Sequence, residues 1–367
     1  MESRKVQRVG SSTLAVSLPT EWVRKVGLKK GDTVFFDQEG DGTLKLMVSK
    51  QVIEKKPIMV EVDADLCENP ELLRRILSGI YILGYDVIKI SSKTRLKREQ
   101  IEVIRKLTRV LIGIGIMEET RNTVIIECFI DAARFPIHTL LRRLYIIAST
   151  MYKEAIDAFS ESDISLAEEA VQRRQEANTM FWIIMRLLNT CQKDRSVIRA
   201  MKMEDSMQIL WYQLTAHFLD LIAEWVDKFA RKVIELGENH KRIGASLLNE
   251  ILELSKSSYG ICHKAITSFF SSDINLANEA IETYSRIQKE EEELQRKICA
   301  HAYLHKKSFP VSKYFKGKKP IDPCMIAQIS FIIWSVRRIS ELGSEIAEVA
   351  INKTLCKNTR LCRELLG

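Results

Sequence analysis

The sequence contains no Cys-x-x-Cys pair and no short disulfide framework, because Cys67, Cys128, Cys191, Cys262, Cys299, Cys324, Cys356 and Cys362 are scattered along it. Scattered thiols exclude a small disulfide-stapled fold and suit a reducing compartment. The N-terminus lacks the apolar core of a secretion signal, and no later run reaches the roughly 20 apolar residues needed to span a bilayer. The longest candidate, Val110 to Met117, is broken by Gly113 and Gly115. The expectation is a soluble, cytoplasmic protein without an integral membrane segment. Also missing are a P-loop, a GxSxG elbow, an HExxH helix and any Ser/His/Asp or Cys/His set at usable spacing. Gly113-Ile114-Gly115 has neither the third glycine nor the strand-to-helix setting of a dinucleotide loop. No catalytic residue is nominated, and an enzyme is not expected.

What remains is the composition of a globular protein, 46% hydrophobic and 28% charged, so disorder is not expected. At 367 residues, against a prior of ~150 per domain, two or three domains are expected. A formal charge of +8 favours polyanionic partners only weakly, since 48 acids offset 56 bases.

Short period-2 patterns at Thr13–Leu18, Thr33–Phe36 and Leu44–Val48 predict three strands. Between the first two, Thr20 is placed to cap a short helix with Glu21 in its first turn, and Gly27 to end it in a left-handed conformation. Gly31-Asp32 and Glu39-Gly40-Asp41-Gly42 read as turns. So little chain buries no adequate core alone, so two copies interleaving their hairpins are expected. The stretches Arg4-Lys5-Val6-Gln7-Arg8-Val9-Gly10, Val16-Ser17-Leu18-Pro19-Thr20-Glu21-Trp22-Val23 and Gly27-Leu28-Lys29-Lys30-Gly31-Asp32 resemble an AbrB-type swapped-hairpin domain. That resemblance implies a homodimer that binds DNA, with Arg4, Lys5 and Arg8 on the basic face and Arg24 and Lys25 as secondary contacts. Basic strands would reach phosphates, and two-fold symmetry would match a palindromic site. The alternative is a module that only dimerises.

The middle segment reads β-α-β-α-β-β. Its strands are Ile58–Val62, Tyr85–Ile90, Ile114–Glu118 and Val124–Cys128. A first helix opens at Asn69-Pro70-Glu71 with a buried stripe of Leu72, Leu73, Ile76, Leu77 and Ile80, and Gly84 closes it. A second helix spans Lys97–Leu111. This order resembles a small ferredoxin- or ACT-like sandwich, either a rigid spacer or a site for a small effector.

From His138 the period becomes helical, and a repeat appears. Asp163-Ile164-Ser165-Leu166-Ala167-Glu168-Glu169-Ala170-Val171 matches Asp273-Ile274-Asn275-Leu276-Ala277-Asn278-Glu279-Ala280-Ile281 at a displacement of 110 residues. Ala155-Ile156 and Phe159 match Ala265-Ile266 and Phe269 at the same displacement. Two sets of three helices are predicted, over 138–160, 163–191 and 199–236, then 241–270, 273–304 and 323–355, the last opening at Asp322-Pro323. A lysine-rich stretch, Lys313 to Pro320, is read as a solvated connector. With Arg142-Arg143-Leu144-Tyr145 and Met180-Phe181-Trp182-Ile183-Ile184, the pattern resembles tandem PhoU domains. The whole order resembles an archaeal class of phosphate uptake regulators. The fold class is therefore multidomain α+β: a swapped-hairpin β domain over 1–52, an α/β domain over 55–132, and all-α PhoU-like repeats over 136–238 and 239–367.

PhoU domains typically carry pairs of carboxylates four residues apart that hold a metal cluster. Here only Asp220 and Glu224, with His217 on the same face, keep that pattern, and Ser340 and Ser344 stand at the second repeat's positions. On the preceding helices Arg174 and Asn178, and Tyr284 and Gln288, replace the acids. Losing anionic ligands and gaining an arginine weakens cation binding. No cofactor is therefore expected, with a divalent or iron site at His217, Asp220 and Glu224 as the exception to check. Elsewhere Asp220 and Glu224 read as polar groups on a solvated or inter-helix face. His301 and His305, near Cys299, lack the further ligands that a closed zinc site needs. The expected function is a DNA-binding transcriptional regulator of phosphate uptake and intracellular phosphate homeostasis. The alternative is a PhoU-type adaptor that binds a phosphate ABC transporter or a sensor kinase.

Overall fold

The computed structural model describes residues 2–38, 42–48, 57–131, 134–193, 197–198, 201, 203, 207–304, 315–316 and 322–356. The chain divides into two compact units, Met1–Ile58 and Met59–Gly367. The architecture is a mixed α+β N-terminal region with small sheets, followed by an all-α bundle of long helices.

In the first unit, β1 (Gln7–Val9) pairs antiparallel with β2 (Thr13–Ala15) across Gly10, whose φ of 72° suits a residue without Cβ. β1 is one strand more than the alternation predicted, since three residues show no period. α1 (Thr20–Val26) is entered through Pro19, whose carbonyl takes the Val23 N–H, and has no side-chain cap. Thr20 is thus the first helical residue and not the cap. Gly27, at φ 67°, ends the helix as expected. β3 (Val34–Gln38) pairs antiparallel with β4 (Leu44–Val48); three residues of the predicted turn, Glu39-Gly40-Asp41, lie outside the described residues. No described side chain of this unit is buried, and Leu14 and Phe36 are 71% and 65% exposed.

The second unit begins with a four-stranded sheet in the order β5-β6-β8-β7, formed by β5 (Met59–Asp63), β6 (Val87–Ser91), β7 (Ile114–Glu119) and β8 (Thr123–Cys128). β5 and β6 are parallel neighbours joined through α2 (Pro70–Ile82). β8 lies antiparallel between β6 and β7, which α3 (Arg98–Val110) connects. The ferredoxin- or ACT-like expectation is corrected here. Only the β6-α3-β7 crossover is split by an intervening strand, whereas a ferredoxin-like order splits both. Asn69 caps α2 by accepting the Glu71 N–H at 2.8 Å. The buried face of α2 is Leu73, Leu77, Ser78 and Tyr81, while Leu72 is exposed. Buried Gln100 donates to the carbonyls of Ala64 and Cys67, tying α3 to the turn after β5.

The bundle comprises α4 (Ile137–Glu161), α5 (Ile164–Lys193), α6 (Met207–Leu236), α7 (Ala245–Ser271), α8 (Ile274–Leu304) and α9 (Pro323–Leu355). α4, α5 and α6 pack mutually, as do α7, α8 and α9; α6 lies against α9 and α4 against α7. One continuous core, including Tyr152, Phe159, Phe229 and Phe269, runs through all six. Local geometry repeats at the 110-residue displacement. Ser162 and Ser272 end α4 and α7 at φ 60° and 58°, and Asp163 and Asp273 accept the N–H of Leu166 and Leu276 at 3.1 Å. Most of the lysine-rich connector lies outside the described residues, but Phe315 is buried and bridges Ile243, and the Lys316 N–H donates to the Arg242 carbonyl. At that point the connector is anchored on the bundle rather than solvated.

Candidate functional site

Two of the cations expected to face DNA in the first unit, Arg4 and Arg8, make local contacts. Arg4 pairs with Glu2, and Arg8 donates to the Ser11 carbonyl at 2.5 Å across the β1–β2 turn. Arg24 and Lys25 occupy the last turn of α1, where positive charge suits the helix dipole. Lys5 is exposed.

Two of the three candidate metal residues, Asp220 and Glu224, are paired with cations. The Asp220 carboxylate takes the Arg174 guanidinium at 2.7 Å, bridging α6 to α5, with both side chains largely buried. Glu224 pairs with Lys228 at 2.7 Å, and exposed His217 lies against the rings of Phe181 and Phe218. A metal ion does not fit this donor set, because the guanidinium already supplies the positive charge that Asp220 would give to it. Among the described residues no group of three or more His, Cys, Asp or Glu is assembled for a metal. His305 and the side chain of His301 lie outside the described residues. In the second half the polarity is reversed, with Glu291 of α8 accepting from Arg337 of α9 at 3.3 Å. Burial opposes the charge on Arg337, but its partners Tyr284 and Glu291 hold the pKa above the ordinary arginine value. Both groups thus cross-link helices.

Two features that periodicity did not reveal bear on function. The first is the junction between sheet domain and bundle. Buried Arg186 of α5 donates to the Tyr81 carbonyl at 2.8 Å, lies over the Tyr81 ring at 5.0 Å and reaches Asp86 at 3.6 Å. Asn189 donates to the Ile82 carbonyl at 2.9 Å. Both side chains donate to carbonyls in the last turn of α2; that of Tyr81 also accepts the Gly84 N–H at 3.0 Å. The only sequence signal was an arginine inside an apolar stretch.

The second is a face shared by α6 and α9. Trp225 meets Trp334 edge-on at 4.8 Å and Phe331 at 6.2 Å. Lys228 lies 4.1 Å from the Trp225 ring, Lys232 5.5 Å from Phe331, and Trp334 is 39% exposed. A part-exposed tryptophan is a residue type enriched in protein-binding hot spots, and the lysines lie within cation–π range of the rings. No helix among the described residues is long and apolar enough to cross a membrane.

Residues 7–54 match the family model for antidote-toxin recognition MazE, a bacterial antitoxin, so the N-terminal domain is of the antitoxin, swapped-hairpin type. No curated protein sequence matches the chain. Solved structures similar to the chain include two of PhoU proteins. The crystal structure of PhoU from Pseudomonas aeruginosa is 17% identical, with a TM-score of 0.50 over 60% of this chain and 96% of that one. That of the phosphate transport system regulatory protein PhoU from Streptococcus pneumoniae is 15% identical, with a TM-score of 0.47 over 59% of this chain and 91% of that one. The expectation of a DNA-binding transcriptional regulator is corrected here: the solved structure that the helical region resembles is that of a PhoU. What this chain carries is an antitoxin-type N-terminal domain followed by a helical region with a distant likeness to PhoU.

Proposed function

We propose that the chain is a non-enzymatic, PhoU-type signalling adaptor of phosphate homeostasis, which binds a phosphate ABC transporter or its sensor kinase through the helical bundle. The observation that carries this reading is the extent of the likeness: the bundle spans 96% of the Pseudomonas PhoU chain. The 110-residue displacement, with matching left-handed helix ends at Ser162 and Ser272, supports two tandem PhoU-like copies in the manner of the archaeal class. The N-terminal domain serves self-association, and the α/β domain is a rigid spacer locked to α5 through Arg186. The Trp225–Trp334 face is the docking surface.

The test uses the full chain with the transporter and kinase of its own organism, reconstituted in vesicles. Binding to one of them is expected, weakened at least about tenfold by Trp334→Ala, as for an interface hot spot. Absence of binding to both overturns the adaptor reading.

A further inference from the structure

A groove of about 350 Å³ lies between α4 and α7, the first helices of the two halves, and nothing in the adaptor reading uses it. Its lining separates by chemistry. Arg142, Tyr145, His263 and Thr267 are polar, Ile146, Ile266 and Phe270 are apolar, and no carboxylate is present. The Arg142 guanidinium lies 4.2 Å from the Phe270 ring centre and has no carboxylate partner among the described residues. It is held in place by the ring face while its hydrogen-bonding edge stays available. Tyr145 Oη is 2.9 Å from His263 Nδ1. Burial raises the Tyr145 pKa, so the hydroxyl keeps its proton. In the tautomer that accepts this hydrogen bond at Nδ1, the ring N–H stands on Nε2. Ser271 donates to the Thr267 carbonyl at the groove's end.

An unpaired guanidinium with an imidazole N–H and a hydroxyl is a donor set for an oxyanion, and a carboxylate-free lining leaves that charge uncompensated. The volume falls near the lower end of small-molecule sites, roughly 300–1,000 Å³, and the isoleucine and phenylalanine surface has no role in holding inorganic phosphate alone. We propose that the α4–α7 groove is a binding site for a small organic phosphate monoester, its phosphoryl group taken by Arg142, His263 and Thr267 and its carbon skeleton by Ile146, Ile266 and Phe270. The ligand bridges the two halves of the bundle.

Isothermal titration of the full chain with phenyl phosphate and, separately, with inorganic phosphate tests this. Saturable binding of phenyl phosphate is expected, at least tenfold tighter than inorganic phosphate. Arg142→Gln and Thr267→Val, both exposed and outside the core, are each expected to weaken it, the first by tenfold or more, with unchanged thermal unfolding. Equal affinity for the two ligands, no saturable heat at millimolar phenyl phosphate, or Arg142→Gln binding like the parent overturns the proposal. Because the readout is ligand binding to the isolated chain, its failure is distinct from failure of the adaptor reading.

Discussion

His240 illustrates how a single side chain here takes its role from its surroundings. It is buried in the 3₁₀ turn Gly237–Arg242, its Nε2 lies 2.5 Å from the Phe159 carbonyl, and its ring meets Phe159 edge-on. Burial lowers its pKa below the ordinary 6.5, the hydrogen bond to Phe159 only partly opposing that, so the folded chain holds the ring neutral. A histidine with a depressed folded pKa is protonated more readily in the unfolded chain. Its contribution is therefore whole above about pH 6.5 and is lost as pH falls through the lower folded value. Urea midpoints of the parent should fall from pH 7.5 to pH 5.5, and His240→Gln should flatten part of that slope; parallel slopes would refute the assignment. Arg174 makes the same point for the carboxylates. The four-residue spacing of Asp220 and Glu224 was visible in the chain, but the cation that occupies Asp220 comes from a helix 46 positions earlier.

Among the elements, the helix ends show the clearest unspent stability. Ser162 and Ser272 each adopt the left-handed conformation at the close of α4 and α7. A residue with a Cβ pays roughly 1–2 kcal/mol there, against roughly 0.5–1 kcal/mol of extra chain entropy lost by glycine. Ser162→Gly and Ser272→Gly should each raise stability by about 0.5 kcal/mol, read as a rise in thermal midpoint; a fall for either would contradict the balance. Helix boundaries were legible where chemistry is local, as at Asn69-Pro70 and Asp322-Pro323, whose side chains accept the N–H of Glu71 and Cys324. They were less legible on faces. Leu72 and Tyr81 are both apolar positions of α2, but packing against the sheet and α5 buries Tyr81 and leaves Leu72 outside.

At the scale of the whole molecule, the two units differ in kind. The second has a continuous core through α4–α9 and a satellite core under the sheet, joined by the buried Arg186 contacts. The first buries none of its described side chains and exposes Val9, Leu14, Phe36 and Leu44. The proposed self-association would cover this apolar surface. Sedimentation of the full chain should give twice the chain mass, and Leu14→Asp combined with Phe36→Asp should return it to one; a parent that sediments as a monomer would refute self-association through this unit.

Periodicity, caps and the 110-residue displacement depend on neighbours within a few turns of chain, so the linear order of residues was enough to mark the helices, the repeat and the mixed N-terminal region. Strand order, the Arg174–Asp220 and Arg186–Tyr81 contacts, the anchoring of Phe315 and the α4–α7 groove all join residues from different elements. Their energies arise from burial and charge pairing across space, to which spacing along the chain is blind, and the folded bundle alone brings those partners together.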